Sequence, residues 1–437
     1  MPVPLCSIPR IARARRRSAH RAAWLALGVL VACAASRPPP ARADGAENDA
    51  TPPSAFAEWW DGDALTGTWL AVRTAADEHG VAFEGSVTSD LSRVLDGGLE
   101  ERGAGRALFD LALRVDLERL GGLEGVTAFA DFQALVGDNG SEDVGDIQGY
   151  SSIDARELAQ LSELWLEVVL FEDRLRIKVG KVDANTEFGF AENAAGFLQS
   201  SMGMSPTTPM PTYPDPASSV TVFLSPVSWA YAGVGVYDGA SYRGVHTGSC
   251  GPRTALTGHV ELFTIGEAGM RWGEDGMGRL ALGGWYLDGG FDVTSANGAF
   301  EHHHGTRGAY AVLDQRLWKE LDEPGDPQGL VAFGMWGWTE PSTSPIEAHL
   351  GGGLAWRGPI AGRDEDELGV GASWVSAGDA LDPPTPRDHE VAVEIYYAAP
   401  LAGWLVVQPD LQWITSPLGD PTARDAWVGT VRVTLNL

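Results

Sequence analysis

The sequence predicts an all-β fold: a transmembrane antiparallel β-barrel of sixteen strands, with a short N-terminal amphipathic helix and a long inward-folding loop. Three observations lead to this fold class. The chain begins with an export signal, and alternating apolar and polar residues recur along most of its length. No segment after the signal approaches the ~20 apolar residues of a membrane helix. If the chain crosses a membrane, it therefore crosses as strands.

The first 43 residues have the composition of a secretory signal peptide. A basic stretch without acids, residues 10–21, precedes the 14-residue apolar run Ala22–Ala35, and Ala41–Ala43 offers a cleavage site of A-x-A type. Within the apolar run, Leu30–Cys33 also resembles a bacterial lipobox. If that site were used, Cys33 would carry acyl chains and tether the mature N-terminus to a membrane. Both alternatives predict export.

Charge and cysteine content exclude two classes of function. The formal net charge is −28, and residues 1–43 hold eight arginines and no acid, so removing them makes the chain still more acidic. Nucleic-acid binding needs a basic face and is not expected. Cleavage would also leave Cys250 as the last of three cysteines, which excludes an intrachain disulfide and a cysteine-based metal site.

Two short segments separate the leader from the barrel. Residues 44–64 are polar and contain prolines, which predicts a flexible lead-in. Residues 65–80 place Leu65, Trp69 and Val72 at helical spacing and end on a glycine, which predicts a short amphipathic helix.

The remainder, 81–437, is predicted to be the barrel. Apolar Leu175 and Ile177, for example, alternate with Arg176 and Lys178, the pattern of a strand with two different faces. An even number of strands is typical of single-chain bacterial barrels, and counts of fourteen or eighteen stay open. The candidate strands are 81–90, 107–118, 125–135, 158–170, 174–180, 219–224, 228–237, 256–264, 278–287, 308–318, 329–338, 347–356, 368–376, 388–398, 403–414 and 426–437.

Alternation alone does not separate a membrane barrel from a soluble β-sandwich. In the last strand Trp427 and Val431 share one face, while Thr430 and Arg432 share the other. A sandwich would turn the apolar face inward, whereas a membrane barrel turns it outward to lipid. Trp and Tyr residues near many strand ends are typical of the girdles at membrane interfaces, and they favour the barrel.

One predicted connection is too long to be a turn. Residues 183–218 contain several prolines and little alternation, and loops of this length are usually functional or disordered. Folded into a barrel, such a loop would narrow the channel. Three phenylalanines would anchor it and four polar residues would face the opening: Phe188, Phe190 and Phe197, and Glu187, Asn193, Gln199 and Ser200.

Several segments between Leu65 and the C-terminus carry a family pattern. The most specific are VGKVDANTEF at 179–188 and VQPDLQWITSP at 407–417, supported by PTYPDPASSVTVFLSP at 211–226. Taken in chain order, these segments resemble the carbohydrate-selective porins of the OprB family. The resemblance implies a sixteen-stranded outer-membrane barrel that admits sugars by passive, substrate-biased diffusion.

A sugar pore needs planar charged groups that exchange hydrogen bonds with hydroxyls, and aromatic faces for the sugar's C–H side. Residues on the lumen phase of the strands or in the long loop are the candidates for this role. A ladder of charges that only hydrates and stiffens the wall is the alternative for each of them. The candidates are Arg114, Asp116, Asp131, Gln133, Glu163, Trp165, Glu167, Arg176, Lys178, Glu187, Asn193, Asp314 and Arg316.

The sequence contains no catalytic motif with the required spacing, so no enzyme and no cofactor are expected. His302–His304 could bind a transition metal, but the more economical interpretation is an exposed histidine-rich loop, and no metal site is predicted. The expected partners are small sugars, outer-membrane lipid and lipopolysaccharide, and the outer-membrane assembly machinery. The protein is expected to be a monomer. A general diffusion pore and a structural or adhesive surface barrel, anchored by lipid if Cys33 is acylated, remain alternatives.

Overall fold

The computed structural model describes residues 59–60, 62–69, 71–251, 261–273, 277–294, 300–320, 326–381 and 384–437. Within these residues, sixteen antiparallel strands form one closed ring, in which neighbours in sequence are paired and the first strand pairs with the last. The predicted fold class and strand count are therefore confirmed. The predicted signal peptide, Cys33 and most of the lead-in 44–64 lie outside the described residues.

The strands vary in length around the ring. They are β1 Val81–Gly98, β2 Gly103–Asp116, β3 Val126–Gly137, β4 Leu158–Leu170, β5 Leu175–Val182, β6 Ala217–Val227, β7 Ala230–Asp238, β8 Leu262–Trp272, β9 Gly278–Thr294, β10 Phe300–Lys319, β11 Gly329–Thr339, β12 Ile346–Arg357, β13 Glu367–Ala377, β14 His389–Ala402, β15 Leu405–Thr415 and β16 Arg424–Asn436. The described α-helices are short: α1 Val72–Glu78, α2 Leu117–Gly121, α3 Ser141–Val144, α4 Ser200–Gly203 and α5 Thr247–Cys250.

The two ends of the barrel have connections of different length. At one end, here called the long-loop rim, residues 138–157 join β3 to β4 and residues 183–216 join β5 to β6. At the other end, the short-turn rim, residues 228–229 join β6 to β7, and β1 begins and β16 ends there. In outer-membrane barrels short turns face the periplasm and longer loops face outward.

Residue exposure shows which face of the strands is the outer one. On β4, Leu164 and Leu166 are half exposed, whereas Trp165 between them is 6% exposed. On β16, Trp427 is exposed and Thr430 is buried. The apolar face therefore points outward, as lipid requires and a soluble sandwich does not permit.

The N-terminal helix is shorter than the predicted 65–80. The helix α1 covers Val72–Glu78, and residues 65–69 form turns. Trp69 and Ala71 both have positive φ, 49° and 69°, which is outside the right-handed helical region. The apolar residues of 65–69 therefore have helical spacing, but the backbone of this segment is not helical.

Strand β8 lies further along the chain than the predicted segment 256–264, of which residues 256–260 lie outside the described part. It covers Leu262–Trp272, where Glu267 and Arg271 on the lumen face interrupt the apolar run. Strand β10 is longer than predicted, so His302–His304 lie in a strand paired with β9 and not in a loop. Among the described residues no helix is long and apolar enough to span a bilayer.

Candidate functional site

The long connection 183–216, here called the belt, crosses the interior of the ring. Near its start, Glu187 pairs with Arg176 of β5 at 2.7 Å. Further along, the Asn193 amide group donates to the main-chain oxygen of Ala332 in β11 at 3.0 Å. Its Gly196 oxygen accepts a hydrogen bond from Gln408 of β15 at 2.7 Å. A segment that reaches β5, β11 and β15 can lie only inside the barrel.

Aromatic packing holds the belt against the wall at two points, on β6 and on β14. The Phe188 ring stacks on Phe223 of β6 with centroids 5.0 Å apart, and Phe197 meets Tyr396 of β14 edge-on at 4.9 Å. Phe188 is 0% exposed and Phe197 is 4% exposed. Phe190, the third predicted anchor, is only partly buried and lies 4.6 Å from the Arg279 guanidinium. Two of the three phenylalanines thus act as apolar anchors.

Carboxylates of the wall hold the belt through its main chain. Glu267 of β8 accepts from the Gly189 N–H at 2.9 Å, and Asp314 of β10 accepts from the Asn193 N–H at 2.9 Å. Glu394 of β14 accepts from the N–H groups of Leu198 and Gln199, at 2.6 and 3.0 Å. Each bond pairs a buried charge with a backbone donor, a charge-assisted arrangement. Several acids of the lumen are therefore structural contacts of the belt.

Charged side chains line a cavity of about 460 Å³ between the belt and strands β5–β9. Its wall includes Arg176, Arg271 and Arg279, together with Phe190 of the belt and Tyr231 of β7. Residues of the β6–β7 turn also line the cavity, which places it toward the short-turn rim.

Every arginine of this cavity has a carboxylate partner. Arg176 contacts Glu167 at 3.0 Å as well as Glu187, and Lys178 lies 3.4 Å from Glu167. The Arg271 guanidinium is 2.5 Å from Glu192 of the belt. Arg279, with a side chain only 1% exposed, lies 3.1 Å from Glu267 and 3.4 Å from Asp314. The lining carries three arginines and three acids, so its formal charge is balanced.

A second loop, residues 138–157, also folds into the lumen, on the opposite wall. Its Tyr150 hydroxyl contacts Arg106 of β2, which also lies 2.6 Å from Asp154, and Ser151 donates to Asp90 of β1 at 2.6 Å. Burial raises the pKa of Tyr150 to about 12. The loop meets the belt through its main chain, with Ser152 N–H donating to the Leu198 oxygen at 2.6 Å. The interior is therefore narrowed by two loops.

The structure brings some of the predicted site residues together. Glu167, Arg176, Lys178 and Glu187 form one ionic cluster beside the cavity. Asn193 donates its main-chain N–H to Asp314, which also lies 3.4 Å from the cavity residue Arg279.

Other predicted residues lie on the β3–β4 wall. Asp131 and Glu163 are directly paired across the two strands, and the Glu163 carboxylate accepts from the Asp183 N–H at 3.0 Å, where the belt begins. Gln133 donates to Asp110 at 2.9 Å. Burial raises the pKa of Asp183 above its usual range. Glu163 therefore holds the start of the belt, and neither it nor Asp131 or Gln133 lines the cavity.

Trp165 has little free surface for a sugar. Its ring stacks on Phe129 with centroids 4.8 Å apart, and the Lys178 ammonium lies 4.0 Å from the ring centroid. Arg114 lies 5.7 Å from the same ring and is separated from the cavity lining. The tryptophan is therefore a packing partner of cationic side chains.

Two predicted residues lie at the short-turn rim. Asp116 caps α2 by accepting from the N–H groups of Glu118 and Arg119, because β2 ends at this residue. Arg316 lines a separate groove with Trp272 and Lys319, next to an irregularity in the pairing of β10. In the belt, Gln199 is 1% exposed and accepts from Ser201 N–H, so it does not face an opening as expected.

Sequence reasoning missed several residues that form the cavity. Glu267 and Arg271 escaped notice because β8 was predicted too early in the chain. Arg279 stood within a predicted strand and on its lumen phase, so the alternation could have identified it. Tyr231 lies on the lumen phase of its predicted strand, so the alternation could also have identified it, whereas Glu192, the partner of Arg271, is placed by the fold of the belt.

A closed sixteen-stranded barrel with an apolar outer face, a charged lumen and an inward loop defines the chain as a porin. The profile of the carbohydrate-selective porin, OprB family, matches residues 104–437, and the chain belongs to this family. It is 24% identical over 422 residues to Porin B of Pseudomonas aeruginosa, covering 84% of this chain and 90% of that protein.

Solved structures agree with this fold. The high-pH structure of Pseudomonas putida OprB superposes with a TM-score of 0.76 at 20% identity, covering 87% of this chain and all of that one. The low-pH structure of the same protein gives a TM-score of 0.57 at 16% identity, covering 86% and 99%. At these identities the likeness concerns the fold alone.

Proposed function

We propose that this porin allows passive, substrate-biased diffusion of neutral carbohydrates across the outer membrane of a Gram-negative cell. The observation that carries the proposal is the charge-balanced cavity between the belt and β5–β9. Family membership supports a channel for carbohydrates, and the geometry of the cavity supports the preference for neutral ones.

The cavity supplies the contacts that a sugar needs. Its volume of about 460 Å³ falls within the ~300–1,000 Å³ of small-molecule sites. The guanidinium groups of Arg176 and Arg271 and the exposed carboxylate of Asp173 offer donors and acceptors for hydroxyls, and Phe190 and Tyr231 offer aromatic surface. Because each cation is already paired, a free anion gains little there, whereas a neutral polyol can exchange hydrogen bonds without separating charge.

Orientation follows from the connections. The long-loop rim would face outward and the short-turn rim the periplasm, so a solute would pass the two loops before reaching the cavity. Export by the signal peptide at 1–43, or anchoring through Cys33, stays a prediction of the sequence. A general diffusion pore is the second candidate, because the same pairing leaves no unsatisfied cation to attract a particular solute.

Liposome swelling tests the proposal. Vesicles containing the full chain are placed in solutions of a neutral monosaccharide, an amino acid of similar size, and the corresponding sugar acid. We expect the neutral sugar to enter fastest, with vesicles lacking protein as the control. Rates that follow molecular size alone would contradict the sugar preference and leave a general diffusion pore. A protein that forms no channels in repeated reconstitutions would favour a structural or adhesive barrel.

A further inference from the structure

Glu267, an acid in the cavity wall, accepts four hydrogen bonds. Its side chain is 1% exposed. One carboxylate oxygen accepts from the Gly189 N–H at 2.9 Å and the Tyr310 hydroxyl at 2.8 Å. The other accepts from the Tyr231 hydroxyl at 2.7 Å and the Arg279 guanidinium at 3.1 Å. Both oxygens are occupied, so this carboxylate has no further acceptor to offer a passing solute.

The four donors come from three strands and the belt. Tyr231 and Arg279 belong to β7 and β9, which flank β8 in the ring, and Tyr310 belongs to β10, the next strand after β9. The fourth donor, Gly189, is the only one on the belt. Glu267 is therefore the point at which one turn of the belt is attached to a braced section of wall.

The turn at Gly189 gives that attachment a direct consequence for the cavity. Gly189 has φ of +65°, and a Cβ there would lie 2.8 Å from the Met210 methyl group, so glycine is required at this turn. The residues on its two sides point to different places. Phe188 is fully buried on Phe223, whereas Phe190 lines the cavity. The position of Gly189 thus decides how far Phe190 projects into the opening.

Arg279 forms a second link between Glu267 and the belt, at Phe190. It is held by Glu267 and donates to the main-chain oxygen of Phe190 at 2.8 Å, with its guanidinium over the Phe190 ring. Phe190 is therefore held through Glu267 in two ways, by the Gly189 N–H before it and by Arg279 at its own main-chain oxygen.

We propose that Glu267 is a positioning residue for solute selection: by fixing Gly189 and Arg279, it sets the width and chemistry of the cavity at Phe190. The inference rests on the proposed sugar preference. It assigns to a buried acid a role in choosing solutes that does not involve attracting cations.

Glu267→Gln tests the role with little change in size. A carboxamide has one acceptor oxygen and one NH₂ group. The NH₂ group would face one tyrosine hydroxyl, which can rotate to accept, and one group that can only donate, either Gly189 N–H or Arg279. If the oxygen stays with Arg279, the Gly189 turn is released, and if it stays with Gly189, the guanidinium is repelled. In either orientation we expect the preference for neutral sugar over the amino acid to be lost and ion conductance to rise.

Glu84→Gln is the matched control. Glu84 lies on the lumen face of β1, is largely exposed, and its one ion pair, to Arg114, measures 4.0 Å. The variant removes the same charge from the lumen without touching the belt, and we expect the sugar preference to persist. Loss of preference in both variants, or in neither, would overturn the inference while leaving the sugar preference of the unaltered protein intact. If the unaltered protein shows no preference, the proposed function itself fails.

Tyr310→Phe provides a milder variant in case Glu267→Gln does not fold. The Tyr310 ring is 2% exposed, and the change removes one donor from the oxygen that holds Gly189. We expect a smaller loss of sugar preference, with the heat-modifiable mobility of a folded barrel retained. A lower unfolding temperature with unchanged solute selection would show that Glu267 stabilises the wall and does not position the belt.

Discussion

Two sections of the lumen wall hold their inner loops with different proportions of apolar and polar contacts. On β6–β11 the belt packs against a continuous aromatic cluster that includes Phe223, Trp285, Tyr310 and Phe333. On the opposite wall the second loop packs Val144 and Tyr150 into a smaller apolar cluster. Its Ser151 hydroxyl lies between Asp90 of β1, at 2.6 Å, and Arg432 of β16, at 3.4 Å. There, Arg432 binds both oxygens of Asp90, at 2.7 and 2.9 Å, and Thr430 donates to Ser92 at 3.0 Å.

The difference separates a fixed part of the channel from an adjustable one. Each fully buried aromatic side chain stabilises its contact by about 1.5–3 kcal/mol whatever the pH. A net hydrogen bond contributes about 1 kcal/mol, and a bond to an ionised group changes with its protonation. We therefore expect the position of the belt, which has the larger aromatic cluster, to depend less on pH than the position of the second loop.

The largest effect is expected where the aromatic section contains a charge. Arg279→Ala would leave Glu267 and Asp314 buried without their guanidinium, and breaking a buried ion pair costs about 3–5 kcal/mol. We expect a clear fall of the unfolding temperature in detergent, together with a wider ion conductance.

Arg271→Ala is the control for that variant. Arg271 lines the same cavity, but its side chain is 37% exposed and it pairs with Glu192, which is 33% exposed. Its removal should leave the unfolding temperature almost unchanged, since partly exposed pairs contribute little. An equal fall of the unfolding temperature in the two variants would show that the burial of Arg279 does not determine its contribution to stability.

A smaller effect, dependent on pH, is expected at the second loop. The carboxylate oxygens of Asp146 are buried beside Glu390 and Asp154, and no side chain donates a hydrogen bond to them. Burial raises the pKa of Asp146 well above its usual 3.8, with the Glu390 charge as the next cause. The docked loop thus binds more protons than the released one, and docking weakens as pH rises through the window above 3.8.

Conductance measured from acid to alkaline pH should therefore increase as the loop loosens, and Asp146→Asn should flatten this dependence. Glu142→Gln, an exposed change in the same loop, should preserve it. A conductance that is flat with pH in the unaltered protein would refute the distinction between the two sections of wall.

The smallest effect is expected at Arg114. Its side chain is 45% exposed and 4.0 Å from Glu84, a geometry worth at most about 1 kcal/mol. Arg114→Ala should pass sugar at nearly the normal rate, whereas Arg176→Ala should slow sugar and raise ion conductance, because Arg176 lines the cavity. Swelling rates for the two variants measure the difference. Slower sugar in Arg114→Ala alone would move the site to the β2–β4 wall.

The strand pattern could be predicted because it is local. Alternation in β4 located Leu158–Leu170 to the residue, and the same period assigned Arg176 and Lys178 to the lumen. Contacts between distant segments were not predictable in this way. Glu267 and Gly189 are 78 residues apart, and no spacing in the chain relates them.

The second loop escaped prediction for another reason. Residues 138–157 are rich in glycine and acids, a composition that suits an exposed loop. Its length was a usable signal, because long connections without regular structure are usually functional. The composition does not indicate that Tyr150 and Asp154 both contact one buried arginine, Arg106, in the earlier strand β2.

The attachment of the belt also has a consequence for assembly. The belt follows β5 in the chain, but the carboxylates that hold it, Glu267, Asp314 and Glu394, belong to strands synthesised afterwards. Contacts between distant parts of a chain form late and slowly in folding. Without these later strands the belt would have no attachment, and the width of the opening would not be defined. The permeability barrier of the membrane therefore depends on completing all strands before the barrel is released into the membrane.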